Sequence, residues 1–325
     1  MKFAIYGAGS VGGLLGSRLQ EGGHEVHFIA RGDNLAALRR RGLSVRSTIF
    51  GESRVRVRAT DAAADIGPAD YVVLAVKAGS LAQIAPLVEP LKGPSTTFVS
   101  TQNGLPWWYF HGLPGGDQPI RAADPQGVIA RHIAPSLVVG SVVYFSCSMT
   151  EPGAIKHTVG NRLPLGEPAG GRTERVLALS SALRSAGIKA PVRGDIRHEL
   201  WVKILGNAAF NPLSALTGAT LTEMTGSPHG VRLVGDMMDE VRQVASSVGV
   251  HVAISNERRI AGARRAGDHR TSMLQDLDLG REPELDVLLG AVIELAERQH
   301  IDVPVLRAID SATRVLFARA ARRSG

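Results

Sequence analysis

The sequence is poor in cysteine, in lysine and in aromatic residues. Its one cysteine, Cys147, excludes an internal disulfide and a cysteine-rich metal site within the 325 residues. Cys147 itself reads as a buried small residue rather than a nucleophile. The 10 histidines are scattered without a ligand spacing such as H-E-x-x-H, so no metal is expected. No apolar run approaches the ~18 residues of a membrane span. Glycines follow Met1–Tyr6 too soon for a signal peptide. A cytoplasmic protein without a membrane partner is the expectation. Of the 37 basic residues only six are lysine: Lys2, Lys77, Lys92, Lys156, Lys189 and Lys203. Genomic composition alone can produce such an arginine bias, but it makes the position of each lysine informative.

What is present is ordinary for a globular protein: 44% hydrophobic and 21% charged residues. At about 150 residues per domain the length suggests two domains. The net charge is +7, which alone would admit a nucleic acid, an anionic surface or a phosphorylated small molecule. The charge is unevenly distributed. Of the 37 basic and 30 acidic residues, 16 and 17 fall in residues 194–325, leaving 21 and 13 in residues 1–193, a net of +8 for the first part. No basic-aromatic groove or helix-turn-helix pattern accompanies it, so nucleic acid is not the expected partner.

Hydrophobic patterning divides the chain at the same place. Lys2–Tyr6 and Glu25–Ala30 read as strands, and Val11–Gln20 between them has helical spacing. That is a βαβ unit, which implies a parallel sheet with a right-handed crossover. Further strands are expected at Tyr71–Val76, Thr97–Thr101, Leu137–Tyr144 and Ile188–Val192, with helical stretches between several of them. Beyond Gly194, Asp195–Phe210, Gly230–Val248, Glu257–Arg265, Pro283–Gln299 and Pro304–Arg319 all read as helices. The expected class is α/β: a Rossmann-type doubly wound sheet in residues 1–193, then an all-α domain in residues 194–325. The basic tail from Arg319 reads as a solvated end.

Gly7-Ala8-Gly9-Ser10-Val11-Gly12 fits G-x-G-x-x-G between a strand and a helix, the context that gives this pattern meaning. Gly7 makes the turn, Gly9 admits a pyrophosphate to the backbone, and Gly12 lets helix and strand pack closely. The helix start then offers N–H groups and a positive dipole end to phosphates. The second strand ends at Ala30-Arg31, where an NAD site would place Asp or Glu. An arginine there suits the 2′-phosphate of NADP.

Lys203, Asn207 and Asn211 are spaced i, i+4, i+8, within about 80° on one helix face. Trp201, Ile204, Leu205 and Phe210 surround them, so the helix is expected to be largely buried. A buried lysine is costly unless paired or functional. Burial lowers its pKa and makes it a better proton donor near neutral pH. On an isolated helix the same pattern would be a snorkelling lysine beside two asparagines that satisfy each other. Beside a dinucleotide domain it reads as catalytic.

These stretches resemble the ketopantoate reductase (2-dehydropantoate 2-reductase) family nearly end to end. The likeness rests on Gly7–Gly12 with Arg31, on Val76-Lys77-Ala78 followed by Gln102-Asn103-Gly104, on Lys203 to Asn211-Pro212-Leu213, and on Ser272-Met273-Leu274-Gln275-Asp276 followed by Glu284-Leu285-Asp286. The resemblance implies NADPH-dependent reduction of a 2-oxo acid, with Lys203 stabilising and then protonating the carbonyl oxygen. It implies cofactor contacts at Gly7, Ala8, Gly9, Ser10, Val11, Gly12, Arg31, Lys77, Asn103, Ser146 and Glu284. It implies substrate contacts at Asn103, Asn207, Asn211 and Ser272, the last toward the carboxylate. Read without the resemblance, Lys77 is a strand-end lysine, Asn103-Gly104 a turn, Ser146 the end of a strand and Ser272 a helix N-cap. Glu284 falls in the first turn of the expected helix, where the dipole favours a carboxylate.

Two departures from the family pattern concern the substrate. An asparagine expected shortly after Asn211-Pro212-Leu213 is absent from Thr217–Met224, and His269 stands where another is expected. Another small carbonyl compound therefore stays open as substrate. Trp107 and Trp108 would either wall a pocket or plug a hydrophobic corner. A related hydroxyacid or opine-type dehydrogenase shares the two-domain plan, and a non-catalytic NADP-sensing protein is the reading from another class. The expected partner is a small-molecule 2-oxo acid; a homodimer is compatible with the sequence.

Overall fold

The computed structural model describes residues 1–116 and 118–324; Gly325, the end of the basic tail, lies outside the described residues. The chain separates into two compact units. The first comprises Met1–Gln102, Trp107–Pro119 and Gln126–Ile196, the second Asn103–Pro106, Ile120–Pro125 and Arg197–Gly325. Two short segments of the first half of the sequence, one of them starting at Asn103, thus belong to the second unit.

In the first unit β1 (Lys2–Tyr6), α1 (Ser10–Glu21) and β2 (Glu25–Ile29) form the βαβ motif, with the strands paired in parallel from Lys2 and Glu25 to Tyr6 and Ile29. There follow α2 (Gly32–Arg41), β3 (Leu43–Ser47), β4 (Gly51–Val55), β5 (Arg58–Thr60), β6 (Tyr71–Leu74), α3 (Leu81–Ile84), β7 (Thr97–Ser100), α4 (Val128–His132), β8 (Val138–Ser141), β9 (Tyr144–Glu151), β10 (Ala154–Arg162), β11 (Leu165–Gly166) and α5 (Glu174–Ser185). Seven strands form one sheet in the order β11-β8-β7-β6-β1-β2-β5, parallel except for β11, which runs against β8. The strand order reverses at β1, which pairs with β2 on one side and β6 on the other. Ligands of open α/β sheets bind at such a switch point. β6, β7 and β8 are buried along their whole length, as continuous apolar strands of a parallel sheet should be.

A second sheet, in the order β4-β3-β10-β9, overlaps the strands expected from sequence only at Tyr144, the first residue of β9. Its strands mix polar and charged residues and stay partly exposed, so they lack the apolar runs that reveal the first sheet. The expected strand Leu137–Tyr144 divides at Val142-Val143 between β8 and β9, which lie in different sheets. Ile188–Val192 forms only isolated bridges, Lys189 to Arg162 and Val192 to Leu165. Helix α1 is held between the two sheets by its small residues. A Cβ on Gly13 would collide with Ile155 of β10, and one on Gly16 with the Phe28 ring of β2.

The second unit is helical: α6 (Ile196–Thr217), α7 (Leu221–Gly226), α8 (Pro228–Ser247), α9 (Asn256–Arg264), α10 (Ser272–Asp278), α11 (Ala291–Arg298) and α12 (Pro304–Ser324), with a π-helical turn at Asp286–Gly290 leading into α11. Helix α6 continues past Phe210 through Pro212 to Thr217. Proline removes one N–H donor there, but Trp201, Ile204, Leu205, Ala208, Ala209, Phe210 and Leu213 are all buried, and that packing holds the helix together. Ser227, Ser255 and Thr271 cap α8, α9 and α10 by accepting the N–H of Gly230, Arg258 and Leu274. The Ile120–Pro125 segment is tied in by Glu294, whose carboxylate accepts the N–H groups of Arg121 (2.9 Å) and Ala122 (2.8 Å). Among the described residues no helix is long and apolar enough to cross a membrane, and no group of three or more His, Cys, Asp or Glu is arranged to hold a metal ion.

Candidate active site

In the first unit the glycine loop joins β1 to α1. The N–H groups of Gly7 and Ala8 both donate to Ile29 O, at 3.1 and 3.3 Å, which turns the loop over the end of β2. Gly7 has φ +102°, and a Cβ on it would press on Ala75 and Val76; one on Gly12 would strike the Gly7 carbonyl. Above Gly9 the space is open to 4 Å. Helix α1 starts there without a side-chain cap and without an acidic residue in its first turn. Its first N–H groups have no partner within the helix, so the loop has the shape and polarity of an anion cradle.

Arg31 is the exposed N-cap of α2, two residues after the end of β2, close enough to Tyr6 for its charge to act on the phenol. Lys77 is half-buried three residues after β6. The neighbouring backbone is braced by Gln102, whose amide donates to the carbonyls of Leu74 (2.7 Å) and Val76 (3.0 Å). A residue that sequence reasoning missed is Asn34. It donates to Ala8 O in the glycine loop and accepts the N–H of Gly153, both at 2.8 Å; an asparagine two residues into a helix carries no signal for such a bond. Ser146 lies on β9, and its carbonyl accepts from Thr158. Its neighbour Cys147 is the residue that hydrogen-bonds Ser10, and burial pushes its thiol up to about 11. Side chains alternate along a strand, so Ser146 lies on the strand face opposite to Cys147.

In the second unit three distant segments meet. Lys203 Nζ donates to Asn103 Oδ1 at 2.6 Å, and Asn103 Nδ2 donates to Glu284 Oε2 at 2.7 Å. An ammonium only donates and a carboxylate only accepts, so the amide orientation between them is forced. Burial pushes the Lys203 ammonium down to about 8; the Glu284 carboxylate pulls it up and the Arg259 guanidinium pushes it down again. The loop that delivers Asn103 is fixed by its neighbours. Leu105 N–H donates to Val287 O at 2.9 Å. Gly104, with φ +81°, lies so close to Val287 that a Cβ would overlap its backbone. Gly104 is thus required by a close approach to the π-helical turn, a feature often found at functional sites. Glu284 immediately precedes the first helical residue, Leu285, rather than lying within the first turn as expected.

Asn207 is half-buried one turn along α6 from Lys203. Asn211, another turn on, is buried, and its Nδ2 donates to Ser272 Oγ at 3.5 Å. The N-cap of α10 is Thr271, which leaves Ser272 as the first helical residue with its hydroxyl toward Asn211. The two departures noted in sequence also meet here: Leu221 N–H donates to His269 O at 3.1 Å. Thr220 caps α7 in a reciprocal arrangement with Glu223, and burial holds the His269 ring below the ordinary histidine range. Trp107 and Trp108 belong to the first unit and are buried in it. Trp107 Nε1 donates to Ile133 O at 3.1 Å, and the Trp108 ring lies against Gly140, where a Cβ would come within 2.7 Å of Cζ2. Both act as plugs.

Residues 3–170 match the model of the family described as Ketopantoate reductase PanE/ApbA. Residues 195–316 match that of its C-terminal part. A 2-dehydropantoate 2-reductase from Mesorhizobium japonicum is 44% identical over 319 residues, covering 97% of this chain and 98% of the relative. A solved structure from Ralstonia solanacearum MolK2, named provisionally as a ketopantoate reductase, is 36% identical with a TM-score of 0.93 and 98% of both chains covered. The solved 2-dehydropantoate 2-reductase of Geobacter metallireducens GS-15 is 26% identical, with a TM-score of 0.86 over 97% of this chain and 99% of that one.

Proposed function

The chain belongs to the ketopantoate reductase family of oxidoreductases, and on that premise we propose that it reduces a 2-oxo acid, 2-dehydropantoate first among candidates, to the 2-hydroxy acid with NADPH. The 2-dehydropantoate 2-reductase of Mesorhizobium japonicum supports the substrate. Residues 1–193 would bind the dinucleotide and residues 194–325 the substrate. Gly7, Ala8, Gly9, Ser10, Val11 and Gly12 would hold the pyrophosphate, which the open space above Gly9 and the acid-free start of α1 suit. Arg31 would take the 2′-phosphate and Lys77 a further cofactor contact, with Asn103, Ser146 and Glu284 as the remaining ones. When bound, the cofactor supplies a hydride to the carbonyl carbon.

The observation that carries the reading is the bond from Lys203 to Asn103 at 2.6 Å, on a lysine whose pKa is lowered to about 8. Such a group is still mostly protonated at neutral pH and gives up its proton readily. Lys203 would stabilise the carbonyl oxygen as negative charge grows on it, then donate a proton to form the hydroxyl. Glu284, through Asn103, would keep the ammonium oriented and charged. Asn207, Asn211 and Ser272 would hydrogen-bond the rest of the substrate. The test is NADPH absorbance with 2-dehydropantoate and a panel of other 2-oxo acids. Turnover of at least one is expected; NADPH binding without turnover of any of them would sink the proposal.

A further inference from the structure

We propose that Asn34 is a positioning residue for the cofactor, whose amide locks the Ala8–Gly9 peptide of the glycine loop against the second sheet; this rests on the dinucleotide reading above. Asn34 Nδ2 donates to Ala8 O and its Oδ1 accepts the N–H of Gly153, both at 2.8 Å. One side chain on α2 thus joins the glycine loop to the turn between β9 and β10. Such a tie fixes the loop only if its far end is itself fixed. Gly153 O accepts the N–H of Ser44 at 2.8 Å, and Pro152 O accepts from the Arg41 guanidinium at 3.0 Å. Gly153 has φ +77° and lies so near α2 that a Cβ would come within 3.2 Å of the Ala37 Cβ. The same sheet meets the loop and α1 twice more, through Cys147 on Ser10 and Ile155 beside Gly13.

The locked peptide is the one that most needs it. Gly9 has no Cβ, which admits a pyrophosphate to the backbone but also lets its φ, now −76°, turn positive at little cost. A flip of the Ala8–Gly9 peptide would then be cheap. The peptide is planar and trans, so its C=O and N–H point in opposite directions. A flip would set a carbonyl oxygen where the N–H now points, directly before the positive end of α1, and oppose an anion there. The helix does not prevent this. At its start the first N–H that α1 pairs is that of Gly13, to Gly9 O at 2.7 Å. Ala8 O thus lies outside the helical ladder and takes Asn34 instead. With both ends of its amide engaged within the protein, Asn34 acts through the backbone of the loop.

The test measures dissociation constants of NADPH, NADH and adenosine 2′-phosphate on the full-length protein, the dinucleotides by fluorescence and the monophosphate by displacement of NADPH. Asn34→Ala places a better helix former in α2 and should weaken NADPH and NADH by the same factor, roughly 5- to 30-fold, the range for a lost hydrogen bond that leaves its partner unsatisfied. Adenosine 2′-phosphate carries the 2′-phosphate without the pyrophosphate, so its affinity should stay within about twofold. A general disturbance of α2 would weaken it as well, because Arg31 caps that helix. Asn34→Leu, of similar size and without the amide, carries the same test if Asn34→Ala does not fold. Unchanged affinity for both dinucleotides, a loss for NADPH alone, or an equal loss for adenosine 2′-phosphate overturns the assignment. A wild type that binds neither dinucleotide removes the cofactor reading and this inference with it. A wild type that binds them no more tightly than the variants removes the inference alone.

Discussion

The pH dependence of the reduction tests the Lys203–Asn103–Glu284 chain most directly. In the proposed mechanism reduction needs the protonated ammonium. With Lys203 at about 8, the rate should be level below that pH and fall about tenfold per unit above it, with about one-tenth of the lysine still protonated at pH 9. A solvent-exposed lysine would hold the plateau to about pH 10.4. In the reverse direction the neutral amine acts as base, so the rate should rise through the same pH. Glu284→Gln supplies the decisive perturbation. The glutamine oxygen can still accept from Asn103, but the charge that pulls Lys203 up is gone, so the break must move to lower pH. Arg259→Gln removes the opposite influence, so its break must move to higher pH. Initial rates of NADPH oxidation at substrate concentrations well below KM, from pH 6 to 10 at constant ionic strength, measure all three, because kcat/KM reports the lysine before the oxo acid binds. A wild-type plateau that persists to pH 10, or two variants shifting in the same direction, would refute the reasoning.

The remaining expectations concern the cofactor loop and the packing. Arg31→Ala should weaken NADPH roughly 10- to 100-fold, as for a lost charge-assisted hydrogen bond, and leave NADH nearly unchanged; titration of bound-cofactor fluorescence would show it, and equal losses would remove the 2′-phosphate role. Gly104→Ala places a Cβ at φ +81° against the backbone of Val287, so a loss of roughly 2–4 kcal/mol together with a drop in kcat is expected. Thermal unfolding beside steady-state rates would detect both, and wild-type values in each would show that the loop tolerates the displacement. Trp108→Ala empties a fully buried site against Gly140 and should cost about 3–5 kcal/mol in a urea titration, with KM for both substrates unchanged in the protein that stays folded. A KM effect as large as the stability loss would mean that Trp108 lines a ligand site.

Sequence reading succeeded where a local pattern and a buried environment coincide. β1, α1 and β2 follow their expected spans within a residue because apolar runs, a glycine loop and helical spacing agree over 30 residues. Lys203, Asn207 and Asn211 share a face because helical geometry fixes it. The sheet β4-β3-β10-β9 was hidden because its half-exposed strands carry arginines, serines and threonines. The transfer of Asn103 into the helical unit was hidden for another reason. It depends on Gly104 fitting against Val287, a contact across 183 residues that no local spacing encodes. Arg259 was missed in the same way, because an arginine on a short helix rich in arginine looks like a solvated face until Gly206 is found beneath it.

The same distinction separates chemistry from specificity in this chain. Lys203, Asn103 and Glu284 come from three segments, and each hydrogen bond between them fixes the orientation of the next. Changing one residue would leave a buried charge or amide without its partner, which costs more than the bond itself contributes. The corner where Thr220 and His269 depart from the family pattern is built otherwise. Thr220 spends its hydroxyl on the N–H of Glu223, and His269 meets α7 through its backbone carbonyl. Both side chains can therefore vary without disturbing the link between the two segments. Burial disfavours the charged form of the His269 ring. A chain built this way can keep the Lys203–Asn103–Glu284 hydrogen bonds unchanged while the side chains at the Thr220–His269 corner vary.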